Sequence, residues 1–167
     1  MKLSYCPQCA APLTKQNATN YICQNGHNYY NNPRAAVAII LIKNSHILFA
    51  KRAREPQKNK YDFPGGFVNY GEAPSRAAHR ETFEETGLKL NQLKLLDAQL
   101  NFYQTNVCTS DFIYICQDFS GRLQPQDDVA ALEWHELAFM QSPNFAWNYP
   151  GLYEKLQKII AKKTTKL

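Results

Sequence analysis

Hydrophobic positions are sparse and without period over residues 1–32, and become dense at Ala35. Ala35–Ile42 is an unbroken apolar run of strand length, Lys43-Asn44-Ser45 interrupts it, and His46–Lys51 resumes it. That pattern predicts two strands joined by a tight turn. Residues 53–66, with Pro56, Pro64 and Gly65-Gly66, read as irregular. Ala73 to Thr86 reads as a helix, because Pro74 suits a first turn and Gly87 suits a C-terminal stop. Leu93–Tyr103 and Val107–Cys116 read as paired strands around Gln104-Thr105-Asn106, and another short strand is expected over Val129–His135. After Pro150-Gly151, a basic amphipathic helix carries Leu152, Leu156, Ile159 and Ile160 on one side. Mixed strands and helices predict an α/β or α+β domain behind a small N-terminal module. Asn31-Asn32-Pro33 is a turn signal, so the expected boundary separates residues 1–32 from 33–167.

Length and charge narrow this picture. The 167 residues suffice for one ordinary core and a small appendage, and the seven glycines and nine prolines exclude collagen and low-complexity disorder. No apolar run approaches the roughly 18–20 residues of a membrane span, and the first residues show no apolar signal-peptide segment. The expectation is a cytoplasmic protein with free thiols and no membrane partner. The net charge of +5 is unevenly placed. Residues 1–60 hold nine Lys/Arg and one acid, 61–153 hold five Lys/Arg and twelve acids, and 154–167 hold five Lys and one acid. Carboxylates inside a basic frame suggest a metal site facing an anionic substrate.

Glu81, Glu84 and Glu85 stand at i, i+3 and i+4, on one side of the expected helix. Three carboxylates on a stripe repel one another, so either solvent or a cation compensates. A solvated acidic face is the plain alternative. Hard divalent cations such as Mg²⁺ take oxygen ligands of this kind, with water and substrate phosphate completing the shell. Ala77 and Ala78 share that side, Arg80 can pair with Glu72 or Glu84, and Phe83 on the opposite side reads as a core contact.

The stretch from Gly66 to Leu88 resembles the signature of the Nudix hydrolases: Gly66, Glu72, Arg80, Glu81, Glu84, Glu85 and Gly87 fill all seven fixed positions. Thr82 departs from the usual bulky aliphatic, which bears on packing more than on chemistry. The resemblance implies an α/β/α sandwich with a mixed sheet. It also implies Mg²⁺- or Mn²⁺-dependent hydrolysis of a diphosphate linked to another moiety, usually a nucleoside. Carried over by position, Glu84 and Glu85 are metal ligands, Glu81 is a ligand or the general base, Gly66 offers its carbonyl to metal, and Glu72 and Arg80 support the geometry. Some members add an acid from beyond the motif. Asp127, Asp128 and Glu133 are candidates here, with no choice among them.

Cys6-Pro-Gln-Cys9, then Cys23 and His27, supply the four N/S ligands of tetrahedral Zn²⁺, and Gly26 permits a tight turn before His27. Two alternatives stand beside it: Cys6 and Cys9 as a redox pair, and His27 as an incidental loop histidine. Cys108 and Cys116 lie in strand-like segments and read as buried free thiols. His46 and His135 read as structural or surface residues. A zinc ribbon ahead of a Nudix domain resembles the NADH pyrophosphatases distantly, since residues 89–110 lack their Pro- and Trp-rich stretch. It resembles more closely a group that includes FAD and ADP-ribose pyrophosphatases. The matching residues are Tyr30-Asn31-Asn32-Pro33-Arg34, Arg52-Ala53-Arg54-Glu55-Pro56 and Phe63-Pro64-Gly65-Gly66-Phe67.

The resemblance implies a small-molecule nucleotide substrate: a dinucleotide such as NADH, FAD or ADP-ribose, or else a dNTP. Arg52 and Arg54 are candidate phosphate contacts, and Phe145 and Trp147, in a Pro-bounded loop, are candidate ring-binding residues. A nucleic-acid or protein-binding module built on the ribbon and the basic frame is the reading from another class. A homodimer is the base-rate expectation.

Overall fold

The structure, a computed structural model, describes residues 4–105 and 107–164. Three short strands, β1 (Leu13–Lys15), β2 (Asn20–Cys23) and β3 (Asn28–Tyr30), form an antiparallel sheet in the order β1-β2-β3. A seven-stranded mixed sheet follows. Its strands are β4 (Arg34–Lys43), β5 (His46–Arg52), β6 (Tyr61–Asp62), β7 (Gly65–Phe67), β8 (Leu88–Gln104), β9 (Val107–Gly121) and β10 (Val129–His135). The main path runs β10-β5-β4-β9-β8, with β6 on β5 and β7 on β4. Two α-helices, α1 (Pro74–Thr86) and α2 (Leu152–Thr164), complete it, with a 3₁₀ turn over Leu137–Gln141.

β4 explains the layering. Strand side chains alternate between faces, and β4 is apolar on both. Ala38, Ile40 and Ile42 join Ile47, Phe49, Phe63, Ile113, Leu152 and Leu156 in one core, beneath α2. Val37, Ile39 and Leu41 join Leu48, Ala77, Ala78, Leu88 and Tyr114 in the other, beneath α1. An interior strand buried on both faces reads as a continuous apolar run, and this is the α/β/α arrangement expected. β4 runs parallel to β9 from Arg34↔Thr109 to Leu41↔Cys116, and antiparallel to β7 from Ala36↔Phe67 to Ala38↔Gly65. The sheet therefore sets Gly65–Phe67 beside the start of β4.

Several expectations are altered. The β8–β9 pair is longer than its apolar runs, because solvated residues on one face do not end a ladder. The irregular stretch contains β6 and β7, too short to show a period. Phe83 is not a core residue: it is 49% exposed, with Lys89 Nζ 5.9 Å over its ring. The buried side of α1 is Ala77, Ala78, Thr82, Glu85 and Thr86, and Phe83 faces away from it. The helix boundaries agree with the sequence. Pro74 stands in the first turn, and Gly87 closes α1 in the left-handed region at φ 72°, its amide donating to the Phe83 carbonyl.

Candidate active site and metal centres

α1 presents its acids to the β7 turn. Gly66 lies so close to Glu81 that a Cβ there would meet the carboxylate at 2.6–2.7 Å. Glycine here lets the Glu81 carboxylate lie close against the backbone; a larger residue would push that carboxylate aside. The Gly65 amide donates to Glu85 Oε2 at 2.9 Å. Arg80 organises the rest: Nε donates to Glu72 Oε1 at 2.9 Å, Nη1 to Glu81 Oε1 at 2.7 Å and Glu84 Oε2 at 2.9 Å, and Nη2 to the Phe67 carbonyl at 3.0 Å. Glu72 also accepts from the Asn69 amide. Arg80 and that amide hold the Glu72 carboxyl down at about 2.

Glu85 is the buried acid of the group. Burial pushes its carboxyl well above the usual range; the Gly65 amide opposes this, while Asp128, Glu81 and Asp62 add to it. Burial also raises Glu81, against the pull of Arg80. A buried carboxyl with acids on several sides accommodates a divalent cation, which supplies the missing positive charge. The donor set therefore fits Mg²⁺ or Mn²⁺. Of the acids beyond the motif, Asp128 lines the same small cavity as Glu85, Asp62 and Gly65. Asp127 is exposed, and Glu133 on β10 accepts instead from Tyr61 Oη and pairs with His135. Sequence spacing carried no sign of this choice, since the turn after Pro125 decides which of two adjacent acids points inward.

A cleft opens beside Gly65-Gly66, lined by Arg52, Asp62, Phe67, Tyr103, Asp111 and Trp147 among others. Arg52 lies in it but is fully engaged. Nε donates to the Pro56 carbonyl at 2.7 Å and Nη2 to Tyr103 Oη at 3.3 Å, Nη1 reaches Asp62 at 3.5 Å, and the guanidinium stands 5.6 and 5.5 Å from the Tyr103 and Trp147 rings. Trp147 Nε1 donates to Asp62 Oδ2. Burial pushes Asp62 up to about 6, against Arg52 and Trp147. Asp111 is likewise raised by burial, and accepts from Asn101 Nδ2 at 3.3 Å. Asp62, Asp111, Asn101 and Tyr103 were not singled out from the sequence, where isolated polar residues in strands carry no motif. Arg54 is exposed and does not line the cleft. Phe145 is a core residue and not a ring-binding one. It is 7% exposed, with its ring 5.6 Å from Phe49 and 5.3 Å from Phe63.

At the N-terminus, Cys6, Cys9, Cys23 and His27 bring one ligand atom each to within 4.8 Å of one another. Cys9 and Cys23 Sγ are 3.8 Å apart, and Cys6 Sγ and His27 Nδ1 3.6 Å. A tetrahedron with Zn–S near 2.3 Å and Zn–N near 2.05 Å has S–S and S–N edges of about 3.8 and 3.6 Å. The geometry is compatible with zinc. The Ala11 amide and Asn25 Nδ2 draw the Cys9 thiol down to about 6, toward the thiolate a metal needs. Cys108 and Cys116 are free, the second buried. Among the described residues, no helix is long and apolar enough to cross a membrane.

A mixed sheet between two helices, with a loop-helix-loop of clustered carboxylates against a glycine turn, defines the class of domain. Comparison with known proteins gives the family: residues 32–156 match the NUDIX domain, and the chain belongs to that family. It is 34% identical over 113 residues to an ADP-ribose pyrophosphatase of Methanocaldococcus jannaschii, a match covering 65% of this chain and 64% of that protein. The chain thus spans under two thirds of that relative's length. A MutT NUDIX hydrolase from Burkholderia pseudomallei superposes with TM-score 0.66 at 25% identity, over 77% of this chain and 98% of that one. A NUDIX hydrolase from Nitrosomonas europaea superposes with TM-score 0.65 at 20% identity, over 98% of this chain and 93% of that one.

Proposed function

We propose that the protein hydrolyses the diphosphate bond of a nucleoside diphosphate derivative, with ADP-ribose and related dinucleotides as its substrate class, in a reaction that depends on Mg²⁺ or Mn²⁺. The observation that carries this is Glu81 and Glu84 held by Arg80, with Gly66 close against Glu81, and Glu85 buried beside them among further acids with only the Gly65 amide as its donor. The ADP-ribose pyrophosphatase relative supports the substrate class.

Glu84, Glu85 and Glu81 hold the metal in this reading, with the Gly66 carbonyl beside them and Asp128 facing Glu85. A bound divalent ion offsets charge on the phosphate oxygens and lowers the pKa of an attacking water. Glu81 or Asp128 accepts the proton from that water, and Asp128 lines a small cavity together with Glu85. Arg80 and Glu72 act through position, fixing the carboxylates before substrate arrives. Arg52 braces the aromatic wall of Tyr103 and Trp147, against which a base or nicotinamide ring can stack, and Asp62 and Asp111 offer acceptors to its N–H groups. The ribbon holds structural Zn²⁺ through Cys6, Cys9, Cys23 and His27.

The test is a product assay with Mg²⁺ or Mn²⁺ on ADP-ribose, NADH, NAD, FAD and dNTPs. ADP-ribose is expected to give AMP and ribose 5-phosphate. A dNTP releasing pyrophosphate faster than any dinucleotide turns over would overturn the substrate class, and no turnover of any diphosphate would overturn the reaction.

A further inference from the structure

A second cleft lies between the ribbon and the mixed sheet. Thr19 and Tyr29 of the ribbon, Asn31 and Asn32 of the connection, Arg34 at the start of β4, and Cys108 of β9 are among the residues that line it. Its cavity is about 350 Å³, large enough for one moiety of a ligand, against about 70 Å³ for the cleft beside Gly65-Gly66.

The two clefts are neighbours by three separate observations. Phe67, next to Gly66, lines the first cleft, and the guanidinium of Arg34, which lines the second, stands 5.9 Å from the Phe67 ring. Thr109 is the register partner of Arg34 and lines the first cleft, while its neighbour Cys108 lines the second. Arg34 precedes Val37, the register partner of Gly66, by three residues of extended strand, on the order of 10 Å. A diphosphate with a ribose beyond it covers that distance.

The chemistry of the walls differs. The first cleft carries two acids, the half-buried Asp62 and the buried Asp111, and its arginine is committed to Asp62 and to two rings. No acid lines the second. Its polar groups are hydroxyl, amide and phenol groups and the exposed Arg34, set among Pro33, Val107 and Cys108, and Arg34 has no carboxylate partner among the described residues. An unpaired guanidinium beside neutral polar groups suits a phosphate followed by a hydroxyl-rich group. We propose that the cleft between ribbon and sheet binds the second organic half of a nucleoside diphosphate derivative, a sugar-like group, with Arg34 toward the adjacent phosphate. The ribbon is then part of the substrate site and a selector for substrates with two organic halves. This rests on the diphosphate reading above.

The experiment compares ADP-ribose with dATP, which lacks a second organic half, on the full-length protein and on Tyr29→Ala and Asn32→Ala. Zinc content is measured on each variant to show that the ribbon is intact. Each variant is expected to lose about 10-fold in kcat/KM for ADP-ribose, through KM, the effect of one lost polar contact. The change for dATP is expected to be under about 2-fold. Equal losses on both substrates, or none on either, would overturn the proposal. A second readout does not need turnover. Without added Mg²⁺, ADP-ribose should slow alkylation of Cys108 by iodoacetamide, followed by peptide mass spectrometry, and dATP should not. No protection by ADP-ribose would overturn the cleft assignment, whereas protection without hydrolysis of any diphosphate would overturn only the reaction.

Discussion

The ribbon and the α1 box both gather ligand-type side chains, but they are finished to different degrees. In the ribbon, three sulfurs and one imidazole nitrogen lie within 4.8 Å of one another, and the Cys9–Cys23 and Cys6–His27 edges match tetrahedral lengths. Backbone bonds of its own loops hold them there, among them Ala10 N–H to the Cys6 carbonyl and Gly26 N–H to the Cys23 carbonyl. In the box, Arg80 holds Glu81 and Glu84, and Glu85 turns to the Gly65 amide. The supports differ as well. The ribbon buries little besides Cys6 and Cys23, whereas α1 is anchored by Ala77, Ala78, Thr82 and Thr86. In the reading proposed above, metal would serve the ribbon as a structural staple and the box as a reagent.

The sharpest break of this comparison is metal removal from the ribbon. Cys6→Ser should abolish about one equivalent of zinc, a binding free energy of order 10 kcal/mol. Hydrogen exchange should then rise across β1–β3 and stay unchanged in α1, and equal loss of protection in both would show that the regions are not independent. Next in size, Glu85→Gln should lower ADP-ribose hydrolysis by roughly 10³-fold with little change in thermal midpoint. Activity within tenfold of wild type would remove Glu85 from the metal site.

Two acids near the box should oppose each other in pH. Asp62 is pushed up to about 6 from an ordinary 3.8, so the folded state binds the extra proton. Its stabilising contribution is present below about pH 4 and is lost as pH rises to about 6. Glu72, held at about 2 from an ordinary 4.5, contributes above about pH 4.5 and loses that contribution as pH falls toward 2. Urea unfolding of Asp62→Asn and Glu72→Gln between pH 3 and 7, without divalent metal, should show differences from wild type with opposite slopes. Parallel slopes would mean that the two environments are misassigned. The smallest effect concerns Thr82, fully buried with its Oγ1 lacking a hydrogen-bond partner. Thr82→Val, close to isosteric, should raise stability by about 1 kcal/mol, readable as a shifted urea midpoint.

Much of the fold was legible because its elements are periodic or punctuated. The two-faced apolar run of β4, the Pro74 and Gly87 stops of α1 and the Leu152/Leu156 stripe of α2 each announce themselves. The box was legible through spacing, since i, i+3 and i+4 on a helix fix neighbourhood within one element. What crosses between elements was not. Asp128 lines a cavity with Glu85, Asp62 and Asp111 share a cleft, and Arg52 stands over both Tyr103 and Trp147, all between elements far apart in the chain. Phe83 and Phe145 misled for a related reason. Aromatic character alone does not say which side of an element faces the core.

The place of β4 also bears on how the chain is made. Its partners lie at very different distances along the sequence: β5 at once, β7 some 30 residues on, and β9 only when Thr109–Cys116 has been synthesised. A nascent chain leaving the ribosome can close the ribbon around metal early, as a local event. The central sheet must wait for its parallel neighbour, a late and non-local pairing. Until then β4 offers an apolar edge to the translating cell, and the glutamates of α1 emerge before the sheet that will align them.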